Sequence, residues 1–201
     1  MSTVSDSRDL ALVLGDSHVY WLGRFVVNSM VRFGSGTDFM GDNCRIRFNG
    51  FRGGSVDSLE RVTTILAGGI PRVIILAIGG NDIDSPTDHA LLVGMRVFEL
   101  AKSLVSRGVE RVVVTQVVRR QSFRHLSVAE GSRRVLAINE FLAAVCATEH
   151  IRFWKHKGMW NSPLLMFRGD GVHFNDLGNY KLWRSVRGAV FLALKGVNGR
   201  G

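Results

Sequence analysis

The sequence predicts a doubly wound α/β fold: a three-layer α/β/α sandwich with a five-stranded parallel sheet between two layers of helices. Three observations lead there. Short apolar runs alternate with longer amphipathic segments along the chain. Two of the runs, residues 72–78 and 111–117, are nearly continuous Val, Ile and Leu, the pattern of strands covered on both faces. Glycine and small polar residues follow three of the runs, where an open parallel sheet places its ligands.

In chain order the expected strands are residues 10–14, 44–48, 72–78, 111–117 and 151–154. The expected helices are residues 18–32, 55–68, 87–107, 128–149 and 176–194, each with apolar side chains three and four positions apart. Gly108 is a suitable stop for the third helix. The crossovers are expected to be right-handed. The three prolines, Pro71, Pro86 and Pro163, all fall at segment edges, where proline is tolerated. There is no internal repeat, low-complexity tract or proline-rich linker.

A chain of 201 residues suits one domain, with its core at about residues 10–195. Hydrophobic residues at 46% and charged residues at 21% are ordinary globular usage, which argues against disorder. No apolar stretch reaches the roughly 18–20 residues of a membrane span, and residues 1–9 are polar and acidic rather than signal-like. Cys44 and Cys146 both sit in apolar segments, as reduced thiols packed like small hydrophobes do, so a cytoplasmic location is expected. The net charge of +9 predicts attraction to polyanions. It leaves nucleic acid, anionic lipid and acidic sugars or acyl groups all open.

Chemistry concentrates in four places. Gly15-Asp16-Ser17-His18 follows the first strand, Gly53-Gly54-Ser55 the second, and Gly79-Gly80-Asn81-Asp82 the third. If the strand order reverses beside the first strand, those ends share one crevice. A hydroxyl nucleophile, a glycine amide and an asparagine amide then meet there, the parts needed to attack a carbonyl and hold the resulting oxyanion. The base is found in Asp170-Gly171-Val172-His173, whose spacing lets a turn set carboxylate beside imidazole. Asn175 or Asp176 is placed to cap the last helix and hold that turn.

From Gly15 to His173 these residues resemble the sequence blocks of the SGNH, or GDSL, hydrolase superfamily. The resemblance implies that Ser17 is the nucleophile and that Asp170 and His173 complete the triad. It implies an oxyanion hole of the Ser17 and Gly54 backbone amides and the Asn81 side chain, with Gly53 as the alternative register for the glycine. It further implies a flavodoxin-like sheet and hydrolysis of carboxylic esters, such as acetyl groups on sugars or lipid acyl chains, without cofactor or metal. Short acyl groups are expected, because the loops are short and predict a small open cleft. An acyltransferase using the same triad, or an esterase-fold module that binds RNA or another polyanion, is the alternative. Similar esterase domains occur in the first open reading frame of some retrotransposons, although no coiled coil or zinc knuckle accompanies this one.

Several other residues are open to two readings. His18, where many relatives of that kind carry leucine, is expected as an exposed first-turn helix residue rather than a cleft wall. Residues 119–125, with Arg133 and Arg134, either overhang the cleft and select anionic substrates or form a solvated surface. Trp154 and Trp160 around Lys155-His156-Lys157 either contact single-stranded nucleic acid or pack internally. His89, His125, His150 and His156 lack metal-ligand spacing, and Asp82 is expected to cap the turn after Asn81.

Overall fold

The computed structural model describes residues 9–33, 44–60, 66, 69–84, 89–159 and 164–198. Its elements run β1 (Asp9–Gly15), α1 (Ser17–Phe33), β2 (Cys44–Gly50), α2 (Val56–Glu60), β3 (Val73–Ala77), α3 (Ala90–Ser106), β4 (Arg111–Thr115), α4 (Val128–Val145), β5 (Ile151–Trp154) and α5 (Asp176–Asn198). The strands form one sheet in the order β2-β1-β3-β4-β5, and every neighbouring pair is parallel. The order reverses at β1, so a crevice opens beyond the C-terminal ends of β1 and β3.

The two-residue period of the strands sends their side chains into two separate cores. Leu12, Leu14, Ile74, Leu76, Val112 and Val114 pack with Val97 of α3 and Ile138 and Leu142 of α4. Ala11, Val13, Val73, Ile75 and Val113 pack with Leu22 of α1 and Val186 and Val190 of α5. Both faces of the central strands are therefore dry, which is why their sequences are continuously apolar rather than alternating. Among the described residues no helix is long and apolar enough to cross a membrane.

Two boundaries that differ from the sequence expectation do so for local reasons. The apolar run of β4 continues to Val117, but the strand stops at Thr115. Asn139 of α4 takes over there: its Oδ1 accepts from the Val117 N–H at 2.8 Å, and its Nδ2 donates to the Val117 carbonyl at 2.9 Å. A side-chain amide thus replaces a neighbouring strand and steers the chain toward the crevice. α4 ends at Val145 rather than at 149, because the chain turns between Thr148 and Ile151, with the Thr148 N–H on the Ile151 carbonyl at 3.1 Å. Of the helix expected over 55–68, α2 is described at Val56–Glu60. Positions 61–65 and 67–68, like Pro86, Trp160 and Pro163, lie outside the described residues.

Gly15 shows why β1 must end on glycine. A Cβ there would stand 2.0 Å from the Ala77 carbonyl oxygen of the adjacent strand. Without it β3 stays close, and the Asp16 N–H donates to that same oxygen at 3.2 Å. Cys146 is a free, buried thiol, pushed up to about 12 by burial, so it packs as a small hydrophobe.

Candidate active site

Asp16 caps α1. Its carbonyl accepts from the Tyr20 N–H at 3.1 Å, and its Oδ1 accepts from the His18 N–H at 2.9 Å. Ser17 is thereby the first helical residue, where no carbonyl of the helix can reach its N–H. Its hydroxyl faces the crevice at the β1 end, and the helix N-terminus adds a positive field there.

The partner arrives from the far end of the chain. Residues 167–174 fold back on themselves, with Phe167 bridged to Phe174 and the Arg168 N–H on the His173 carbonyl at 2.8 Å. Gly171 sits at the tip with φ of +67°, a conformation that a side chain would strain. Asn175 fastens this turn to α5: its Oδ1 accepts from the Gly178 N–H, and its Nδ2 donates to the Leu165 and Phe167 carbonyls. Of the two caps expected, Asn175 is the one seen.

The geometry that results is a chain of hydrogen bonds. His173 Nε2 lies 3.1 Å from Ser17 Oγ, across 156 positions of sequence, and His173 Nδ1 lies 2.8 Å from Asp170 Oδ2. Asp170 Oδ1 accepts from the Val172 and His173 N–H groups at 2.8 and 2.9 Å. Burial alone would raise the Asp170 carboxyl, but the His173 ring and these two amides outweigh it and hold it at about 2. A carboxylate on Nδ1 leaves Nε2 as the nitrogen that accepts from the hydroxyl.

Asn81 lines the same cleft, oriented by a residue the sequence reading did not single out. Arg120 is 4% exposed, and its guanidinium donates to Asn81 Oδ1 at 2.9 Å. Because guanidinium only donates, the amide oxygen must face it and the amide nitrogen must face the other way. Asn81 Nδ2 accordingly donates to the Gly54 carbonyl at 2.9 Å, which leaves its second N–H for a ligand. Gly80 makes room for Arg120: a Cβ there would stand 2.7 Å from the guanidinium and 3.1 Å from Asp16 Oδ2. Residue 120 is therefore no part of a solvated loop, and it lines the cleft together with Ser122, Phe123, Arg124 and His125. Asp84 holds that loop in place by accepting from the Arg124 and His125 N–H groups.

Gly54 is beside Asn81, but its own N–H donates to the Phe51 carbonyl at 3.0 Å. Gly53, at φ of +70°, lines the cleft itself. Asp82 accepts at Oδ1 from the Val56 N–H at 3.0 Å and so ties the start of α2 to the turn after Asn81. His18 is buried, not exposed. Its ring packs 4.9 Å from that of Phe174, and burial pushes it well below its ordinary value, so it stays neutral beside Ser17. His156 is also buried and bonded through Nδ1 to Ser185 at 2.8 Å, and Trp154 donates to the same hydroxyl. The basic and aromatic segment around them is a packing feature at those two positions.

The cleft is open and about 1100 Å³, wider than the short loops led us to expect. A separate small cavity of about 30 Å³ lies between the C-terminal ends of β1, β3 and β4 and helices α1 and α5, lined by Asp16, His18, Gln116 and His156 among mostly apolar side chains.

Asp16 gives a test of this interior. Burial pushes its carboxyl up to about 6, although Arg120 and the His18 amide oppose the shift. A folded-state value above the unfolded one means the native protein holds the extra proton between about pH 4 and pH 6, so this residue's contribution falls as pH rises through that window. His18 and His156, both lowered, act in the opposite sense. The comparison must therefore be differential. Relative to wild type, Asp16→Asn should gain up to about 3 kcal/mol between pH 4 and pH 7 in urea unfolding. A stability difference that is constant over this range would contradict the assignment.

No protein-family model matches the chain, and no curated protein does either. Solved structures do. The aryl esterase of M. smegmatis is similar over 92% of this chain and 99% of its own, with a TM-score of 0.71 and 14% identity. A member of the lipolytic G-D-S-L family from Veillonella parvula matches over 88% and 94%, with a TM-score of 0.66 and 19% identity. A carbohydrate esterase of family 3 from Talaromyces cellulolyticus matches over 92% and 98%, at 0.62 and 15%. With its five parallel strands in the order β2-β1-β3-β4-β5 and its crevice at β1 and β3, this chain has the fold of the SGNH, or GDSL, hydrolases.

Proposed function

We propose that the chain is a serine esterase that hydrolyses carboxylic esters of short acyl groups through an acyl-enzyme on Ser17. The observation that carries this reading is the hydrogen-bonded chain from Ser17 Oγ through His173 to Asp170. In the first step Ser17 Oγ bonds to the ester carbonyl carbon while its proton passes to His173 Nε2. Asp170 keeps the imidazole in the required tautomer and offsets its charge. The carbonyl oxygen, now negative, is met by the Ser17 N–H and the second N–H of Asn81 Nδ2. The glycine contribution falls less readily to Gly54, whose N–H is already donated.

The bond to the alcohol oxygen then breaks, and His173 returns its proton to that oxygen. Water repeats the sequence on the acyl-enzyme: its proton goes to His173, its oxygen bonds to the acyl carbon, and Ser17 recovers its proton as the acid departs. The cleft that Ser17 lines, about 1100 Å³, admits a short acyl group with its alcohol beside it. The solved structures of similar fold include an aryl esterase and a carbohydrate esterase, which agrees with this class of reaction.

The test is covalent labelling. A fluorophosphonate probe should modify the native protein once, on the peptide containing Ser17, and should not modify heat-denatured protein. Native protein that stays unlabelled would remove the basis of the proposal.

A further inference from the structure

Resting on the esterase reading, we infer that the substrate is a small ester whose alcohol carries a phosphate or carboxylate, bound by Arg168 and Arg52 with Trp21 as the aromatic wall beside His173. The cleft is lined by Arg52, Arg120, Arg124 and Arg168 but by only two carboxylates, Asp84 and Asp170. Both carboxylates are already engaged. Asp170 accepts from the His173 ring and two backbone amides, and Asp84 accepts from the Arg124 and His125 amides. Among the described residues neither forms an ion pair with a cleft guanidinium. Arg120 is committed to Asn81, which leaves Arg52, Arg124 and Arg168 as charges without a carboxylate partner among the described residues around the opening.

Two of those three flank the side from which the alcohol leaves. Arg168 is held rather than free: its Nε donates to the Phe174 carbonyl at 3.0 Å, and its guanidinium lies 4.2 Å above the Trp21 ring. Trp21 in turn lies 6.3 Å from the His173 ring and 5.2 Å from Tyr20, over which Arg52 sits at 6.0 Å. His173 delivers its proton to the leaving oxygen, so the alcohol must extend along this wall. A guanidinium anchored through Nε and an aromatic face keeps its terminal N–H groups preorganised for a planar or tetrahedral anion. These cations line the same cleft as the serine, which favours a small anionic substrate held there over a nucleic-acid strand.

The experiment compares 4-acetoxybenzoate with the uncharged 4-acetoxybenzamide, each rate divided by its hydroxide-catalysed hydrolysis. Wild type should favour the anion in kcat/KM by about 10-fold or more at low salt, the worth of one charge-assisted hydrogen bond. That ratio should shrink as salt rises from about 0.01 M to about 0.5 M. Arg168→Gln should lower the ratio several-fold, the remainder resting on Arg52, and Arg168→Lys should keep more of it; because the ratio is internal to each protein, a partly unfolded variant does not mimic the result. A wild-type ratio near one with both esters turned over overturns this inference and leaves the esterase reading intact. No hydrolysis of either ester, together with no fluorophosphonate labelling, overturns both. Inhibition of amide-ester hydrolysis by a short RNA at concentrations far below those needed for phenyl phosphate would replace the small substrate by a nucleic acid.

Discussion

Replacing Ser17 with Ala is expected to lower kcat for p-nitrophenyl acetate by about 1000-fold or more, and His173→Ala should fall to a similar residual rate. The reason is that the two side chains form one device: the hydroxyl is a poor nucleophile until the imidazole takes its proton, and the imidazole alone bonds to no substrate atom. Losing either removes the same step. The double variant should therefore be no slower than the slower single variant. Stability should barely change in Ser17→Ala, because the Ser17 hydroxyl's contact within the protein is His173 Nε2, and His173 keeps its bond to Asp170. Urea unfolding and steady-state kinetics on the three proteins make the check. Losses that multiply in the double variant, or a Ser17→Ala protein with more than a few per cent of wild-type turnover, would mean that another group does the chemistry.

The parts of the molecule that were legible in the sequence are those fixed by local pattern. Continuous Val, Ile and Leu in β3 and β4 mark strands with two covered faces, and that alone requires helices on both sides of the sheet. The Asp170 and His173 pairing was legible because three residues and a glycine tip suffice to bring the two together. The meeting of Ser17 with His173 needed one further step, the reversal of strand order at β1.

The features that the sequence does not reveal depend on distant atoms. Nothing near residue 120 distinguishes Arg120 from Arg119 or Arg124, yet only Arg120 is drawn inside, by the Asn81 oxygen and the space that Gly80 leaves. The register of the glycine pair was equally illegible, since the Gly54 N–H is decided by where the Phe51 carbonyl points. The end of β4 followed the same rule: Asn139, more than twenty positions downstream, closes a strand whose own residues would have continued it. His18 was misjudged because first-turn residues are usually exposed, whereas the α5 side of the sheet supplies Phe174 to cover this one.

Asn81 and Arg120 supply the second large effect. Asn81→Ala should reduce kcat about 100- to 1000-fold with little change in KM, because the amide meets charge that develops only after the substrate is bound. Arg120→Met should reduce kcat by up to about 100-fold through Asn81: without a donor at Oδ1 the amide is held by the Gly54 carbonyl alone, and a displacement of about 1 Å from the oxyanion is enough to cost that much. Arg120 also stands against Asp16, so its loss should raise the Asp16 carboxyl further and cost stability, an effect that urea unfolding reads separately. The catalytic part is isolated by the double variant. Once residue 81 has no amide, Arg120 has nothing to orient, so Arg120→Met added to Asn81→Ala should cost almost nothing more in kcat. A merely structural arginine would lower the rate by the same factor in both backgrounds, and that outcome would remove Arg120 from the reaction.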